Sequence, residues 1–405
     1  MRRTERAGAS GLCGVVVGCA LLLAVAGVLF VHSTTSTGGS FPSQDARGQM
    51  IKAAVGLVGL WILTRLDYRF FERNAYVIYF GVIGLLTVML AIKLGTGGRN
   101  RFINLGFFQI QPSEFMKFGL IAALAKYLRY REDQRTPGGL VGPLLLALVP
   151  MALVLLQPNL GLSLMFPPIL VAMLFAAGAK PRHLILSTTF GILILPAAYF
   201  VGDRVPLLME YQKTRIRSFF VRDDSTSKNQ GYQLQQSIIA VGSGGPLGVG
   251  YHEGNQNVLE HLPEKETDFI FSIVAEETGF AGAACVVAVY WVFVLSILGV
   301  SYRTREPFGR LLTAGIAVAF AAQSFENIGM TVGITPITGV ALPFLSLAGS
   351  TLVSSFAMVG IVLSVARHPV RVVASRDLDP RERRRLVPLI EERPGGLLQS
   401  RWPID

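Results

Sequence analysis

The sequence predicts an all-α, polytopic integral membrane protein, and three observations carry that prediction. Hydrophobic residues make up 51% of the 405 residues, charged residues 16%, and the mean hydropathy is +0.49, too apolar for a soluble domain of this length. Apolar runs long enough to cross a hydrocarbon core of roughly 30 Å recur along most of the chain. Basic residues fall in every second gap between those runs.

Ten spans follow, near residues 11–32, 50–66, 74–94, 112–128, 140–156, 160–178, 183–201, 269–300, 309–332 and 340–366. The first follows a basic start and lacks a small-residue cleavage site, so it reads as a retained anchor. Arg65, Arg69 and Arg73 flank the second gap, and Lys126, Arg129, Arg131 and Arg135 follow span four. Lys180 and Arg182 follow span six, and Arg303, Arg305 and Arg310 follow span eight. Positive charge marks that side as cytoplasmic and puts both termini there. The organisation is a cytoplasmic N-terminus (1–10), a membrane domain (11–366) and a basic cytoplasmic tail (367–405).

The net charge of +11 reflects this topology and the tail. Such a tail suits an anionic bilayer leaflet and not nucleic acid. Cys13, Cys19 and Cys285 lie inside predicted spans, and neither they nor the five histidines have metal-ligand spacing.

The one long gap, residues 203–268 between spans seven and eight, is rich in large apolar side chains and reads as a folded extracytoplasmic cap. It closes on EHLPEKETDFIFSIVAEETG (260–279). Thr267 reads as the N-cap of a helix that begins at Asp268, which sets Asp268 at the water–membrane border. Its plain alternative is a first-turn aspartate without chemistry. Glu276 and Glu277 lie roughly 12–14 Å farther along that helix and must face protein or a wet cavity. A structural hydrogen-bond role is the better reading for Glu277.

In QPSEFMK (111–117), Pro112 suits a first helical turn, while Glu114 and Lys117, three apart, share a face. They form either a self-satisfying ion pair or the wall of a polar groove in which Lys117 meets an anion. Arg99 and Arg101, with Lys213, Arg215 and Arg217 in the cap, run against the positive-inside trend and suit an anionic head group. Solvated surface charge is their plain alternative. FENIGMTVGITPITGVALPFLSLAGS (325–350) implies broken, closely packed helices, with Glu326 a fourth acid inside the membrane. Three further signals are discounted. STSK (225–228) lacks its companion motifs, GSGGPLGVG (242–250) lacks a phosphate-loop context and reads as flexible packing, and Asp223 and Asp224 read as solvated.

Together LPEKETDFIFSIVAEE, QPSEFMK, QPNLG, GYQLQQSIIAVGSGG and NIGM…TPITGVALPF resemble the SEDS family of peptidoglycan glycosyltransferases over residues 50–366. FSIVAEE and GYHEGNQNVLEHLPE lean toward its RodA, or elongation, branch and away from FtsW, the division branch. The resemblance implies a GT-C-like bundle in the bacterial cytoplasmic membrane that polymerises Lipid II onto a nascent glycan strand at the outer face. It also implies a partner, a class B penicillin-binding protein with transpeptidase activity. The family's essential acid falls on Asp268, its Glu and Lys on Glu114 and Lys117, and its loop arginine on Arg101. This chain departs from the family at Asn159, Phe102, Leu347, Ala348 and Glu326.

The implied mechanism has Asp268 accept the proton of the attacking sugar hydroxyl. Lys117, Arg101, Arg215 and Arg217 stabilise the departing diphosphate, with Glu276 lining the substrate site. A divalent cation, Mg2+ or Mn2+, is a further candidate for that stabilisation. A Lipid II flippase and a recruiting scaffold are the competing classes. A flippase needs polar residues through the full bilayer depth, and a scaffold needs no Asp268.

Overall fold

The computed structural model describes residues 2–35, 41–96, 102–104, 109–131, 136, 138–157, 159–182, 184–185, 228–254 and 264–368. Arg101, Arg215 and Arg217, most of the seventh predicted span and the tail beyond residue 368 lie outside them. The described part is nearly all helical: α1 (Arg2–Thr35), α2 (Gln44–Arg65), α3 (Arg69–Thr96), α4 (Pro112–Leu128), α5 (Val141–Leu156), α6 (Leu160–Leu164), α7 (Phe166–Ala176), α8 (Lys228–Ser243), α9 (Ile270–Arg303), α10 (Pro307–Thr331) and α11 (Gly349–Arg367). A two-residue antiparallel pair, β1 (Ile103–Asn104) with β2 (Gln109–Ile110), precedes α4.

Seven of the described helices are long and apolar enough to cross a membrane, so the chain is a multi-pass membrane protein. The predicted span 112–128 is present as α4, 17 residues long and sheathed in protein along most of its length. Protein neighbours, not lipid, receive its charged side chains. The predicted span 160–178 is split at Met165, because Pro167 and Pro168 cannot continue the hydrogen-bond ladder and instead open α7.

Small residues let the helices close on one another. α11 lies along α2, and a Cβ on Gly360 would stand 2.8 Å from the Leu60 carbonyl oxygen. Phe293, Phe320, Phe344 and Phe356 meet in series, edge-on, stacked and edge-on, with centroids 5.0, 5.8 and 5.1 Å apart, joining α9, α10 and α11.

The two ends of the bundle differ. At one end Arg129 pairs with Glu72 and lies 3.9 Å from Glu306, tying α3, α4 and the start of α10 together. Glu306 also caps α10 through the amides of Phe308 (3.0 Å) and Gly309 (2.5 Å). At the other end, called the mouth, the backbone is irregular. The predicted span 340–366 begins as a helix only at Gly349, and residues 340–348 are folded into the mouth instead.

The predicted span 269–300 is broken too. Gly279, at φ 67° and ψ −168°, interrupts α9 and separates a buried half-helix, 270–278, from the membrane-crossing segment 280–303. Only glycine adopts that conformation without strain. A Cβ on Gly279 would also lie 2.2 Å from the Gly248 amide nitrogen. Gly279→Ala is expected to cost at least ~1–3 kcal/mol from backbone strain alone, read as a lower thermal midpoint of the detergent-solubilised protein. An unchanged midpoint would refute it.

Candidate active site

The break explains how the mouth is built. In a continuous helix the carbonyls of Glu276 and Glu277 would accept from the amides of Phe280 and Ala281. Here Glu276 accepts from Val249 (3.1 Å) and Glu277 from Gly250 (3.2 Å). Phe280 donates to Gly245 (2.8 Å) and Ala281 to Pro246 (3.1 Å). Two lost helical bonds become four bonds to the glycine-rich segment 244–250, so these four backbone groups all keep partners. Its glycines are needed for contact: a Cβ on Gly244 would lie 2.0 Å from the Ala275 oxygen. The segment expected to be flexible packing is thus a brace on the broken helix.

The break also resets the depth of the two glutamates. Ser33, in the last turn of α1, donates to Glu277, so the half-helix stands level with the mouth end of a spanning helix. Glu277 makes the hydrogen bond to a neighbouring helix that its structural reading anticipates. Glu276 is fully buried, and a Cβ on Gly254 would lie 2.7 Å from its Oε2.

Asp268 precedes the half-helix. The amides of Thr267, Asp268 and Phe269 all point at the Glu264 carbonyl (3.2, 3.1 and 3.3 Å), forming a tight turn. Thr267 is not a helix cap, contrary to expectation. Its hydroxyl donates to the Glu264 carboxylate at 3.1 Å, and the helix begins at Ile270. Asp268 therefore sits half-buried on the turn. The Leu347 amide donates to Glu266 (2.8 Å), and the Asn327 side chain donates to the Asp268 carbonyl (2.8 Å).

α8 covers this turn. Leu234 and Ile238 pack on Phe269, Ile273 and Ile337. Ser237 shares a hydrogen bond with Ser272 (2.6 Å) and donates to the Thr331 carbonyl (2.8 Å).

On α4, Lys117 Nζ lies 2.8 Å from Glu114 Oε2 and donates to Gln323 Oε1 at 2.6 Å. The lysine is 0% exposed, so it meets no solvent anion in this arrangement. Gln323 in turn donates to the Ala341 carbonyl at 2.8 Å. Glu326 is buried on the same helix near Thr338. Asn159, where the resemblance implies an aspartate, caps α6 by accepting from the Leu162 amide at 3.3 Å. An aspartate would accept the same bond, so the substitution leaves this turn intact.

Of the seven residues singled out from sequence, the structure joins Glu114 to Lys117 directly and Asp268 to both through α10. Glu276 sits one short helix away, and Arg101, Arg215 and Arg217 lie outside the described residues. Gln323 and Asn327 were missed. Their signal was a pair of amide side chains four residues apart, hence on one helix face, inside an apolar span. Among the described residues no group of three His, Cys, Asp or Glu side chains gathers to hold a metal ion.

At the rim His252 meets His32 edge-on at 5.1 Å. Burial, and secondarily the neighbouring His32, hold His252 below the ordinary histidine range. A depressed histidine favours the neutral form, so its contribution is complete above its unfolded pKa and is lost as pH falls through the folded one. Acidification below about pH 6.5 is expected to lower the thermal midpoint, and His252→Asn to lessen that drop; an equal drop in the variant would refute the assignment.

The family model described as "Cell cycle protein", of the FtsW, RodA and SpoVE type, matches residues 14–370. A relative from Geobacter sulfurreducens named "Probable peptidoglycan glycosyltransferase FtsW" is 35% identical over 359 residues, covering 85% of this chain and 94% of its own. "Peptidoglycan glycosyltransferase MrdB" of Escherichia coli K12 is 32% identical over 315 residues, covering 78% and 84%. A solved structure described as "Structural coordination of polymerization and crosslinking by a peptidoglycan synthase complex" superposes with a TM-score of 0.71 at 28% identity, covering 88% of this chain and 97% of its own.

Proposed function

The chain belongs to the SEDS family of FtsW, RodA and SpoVE proteins, and on that premise we propose that it polymerises Lipid II at the outer face of the bacterial cytoplasmic membrane. The observation that carries this reading is the distribution of polar groups. Asp268, Glu276, Glu114, Lys117, Gln323 and Asn327 gather at the mouth, while Leu120, Ile121, Leu124, Ile316 and Phe320 fill the bundle beneath them. A flippase needs a polar path through the whole depth. A polymerase needs one only where a sugar reacts while its lipid stays in the bilayer.

In this mechanism Asp268 takes the proton of the acceptor hydroxyl as it attacks the anomeric carbon of the lipid-linked chain. The bond to the undecaprenyl diphosphate breaks, and inversion converts an α-linked diphosphate to a β-1,4 link. Lys117, covered by protein, contributes its charge and not a contact. Direct contact with the leaving group falls to Arg101, Arg215 and Arg217, and Glu276, fully buried behind the acceptor side, contributes its charge and not a contact. A divalent cation that shared this stabilisation would find no group of three His, Cys, Asp or Glu side chains among the described residues. Both termini are cytoplasmic in this reading, a class B penicillin-binding protein is the partner, and the service is to elongation. That last role rests on FSIVAEE and GYHEGNQNVLEHLPE. Depletion tests it: rounded cells support elongation, and filaments overturn it in favour of division.

The test of the activity is labelled Lipid II given to the purified chain with its partner, the transpeptidase blocked. Polymer is the expected product. Transbilayer movement of Lipid II without polymer would overturn the reading in favour of transport.

A further inference from the structure

We propose that Asn327 is a positioning residue for Asp268, setting the turn that carries it at a fixed spacing from Lys117. Two carbonyl oxygens from distant segments converge on one nitrogen: Asn327 Nδ2 donates to the Asp268 oxygen at 2.8 Å and to the Val340 oxygen at 2.7 Å. Two acceptors so placed repel each other unless a donor with two protons stands between them, and an amide NH2 is the neutral side-chain group that supplies both. Asn327 is 0% exposed, so bulk water does not stand in for it. One helical turn away on the same face, Gln323 links Lys117 (2.6 Å) to the carbonyl of Ala341 (2.8 Å), the residue after Val340.

Two amides on α10 therefore hold two consecutive carbonyls of the mouth, one reaching Lys117 and the other the turn of Asp268. The remaining backbone anchors described for this turn are its internal bonds to the Glu264 carbonyl and the Leu347–Glu266 bond at 2.8 Å. Freeing the Asp268 carbonyl lets the turn shift as a unit, and displacement of a catalytic group by about 1 Å can cost a hundredfold in rate.

The inference rests on the reading of Asp268 as the base, and the experiment separates the two. Asn327→Ala, Asn327→Ser and Asn327→Asp are made in the full chain, purified with the partner, and assayed on labelled Lipid II. Asn327→Ala is expected to lower kcat roughly ten- to a hundredfold with KM changed less than about threefold. Asn327→Asp, which turns acceptors toward two carbonyls, falls at least as far, and Asn327→Ser, with one donor, falls between wild type and alanine. Deuterium uptake of Asn327→Ala rises across residues 264–269 and 340–341 and not in α2 or α11. A wild-type kcat in any folded variant overturns the proposal, as does a loss confined to KM or uptake that rises evenly through the bundle. If Asn327→Ala does not fold, the serine variant carries the same comparison. Asp268→Asn runs alongside. Full turnover in it defeats the base reading itself, whereas an inactive Asp268→Asn beside an unimpaired Asn327→Ala defeats the positioning role alone.

Discussion

Asp268→Asn is expected to lower Lipid II polymerisation by roughly 10²–10⁴-fold while leaving the protein folded. Asparagine has the shape of aspartate and lacks its ability to take up a proton. The backbone bonds that shape the turn, from the amides of residues 267–269 to Glu264 and from Asn327 to the Asp268 carbonyl, do not depend on the carboxylate. The loss therefore belongs to the chemical step. Lipid II retained by the variant should stay within a few-fold of wild type, because a general base contributes chiefly in the transition state. Undiminished polymer from a variant with a wild-type thermal midpoint would remove Asp268 from the mechanism. Loss of polymer together with the fold would make it a structural aspartate.

How far the sequence leads depends on the kind of signal each feature leaves. Membrane spans are legible because hydropathy is a local sum: α1, α2, α3 and α5 lie over predicted spans. The Glu114–Lys117 pair is legible because three-residue spacing on a helix dictates a shared face. The break at Gly279 is not. Glycine is common in spanning helices, and what permits the break is a set of four hydrogen bonds from a segment some thirty residues earlier. Thr267 was misassigned for a related reason, since its hydroxyl has a competing acceptor in Glu264, and the turn outbids the cap. The depth of Glu277 depended on a hydroxyl from α1, far away in sequence. Charged residues in apolar runs stand out, but Gln323 and Asn327 carry no charge and donate to backbone carbonyls, which leave no mark in composition. The acid proposed to bear the chemistry was readable; the neutral scaffold that holds it was not.

The buried ion pair offers the second large effect, in stability. In Lys117→Met the Glu114 carboxylate, 3% exposed, loses the ammonium 2.8 Å away, and the Gln323 oxygen loses its donor. Removing one partner of a buried pair costs about 3–5 kcal/mol, because the remaining charge stays desolvated. The contact is electrostatic more than a well-aligned hydrogen bond, so the charge itself carries it. Lys117→Met is accordingly expected to extract poorly and to melt well below wild type. Adding Glu114→Gln removes the stranded charge, and the double variant should regain most of the lost midpoint. Its polymerisation rate separates the two readings of the pair. If Lys117 supplies field to the departing diphosphate and anchors Gln323, a well-folded double variant stays slow, since a neutral methionine restores neither. A double variant that is both stable and fully active would confine Lys117 to its ion pair and leave the leaving group to the arginines of the outer loops.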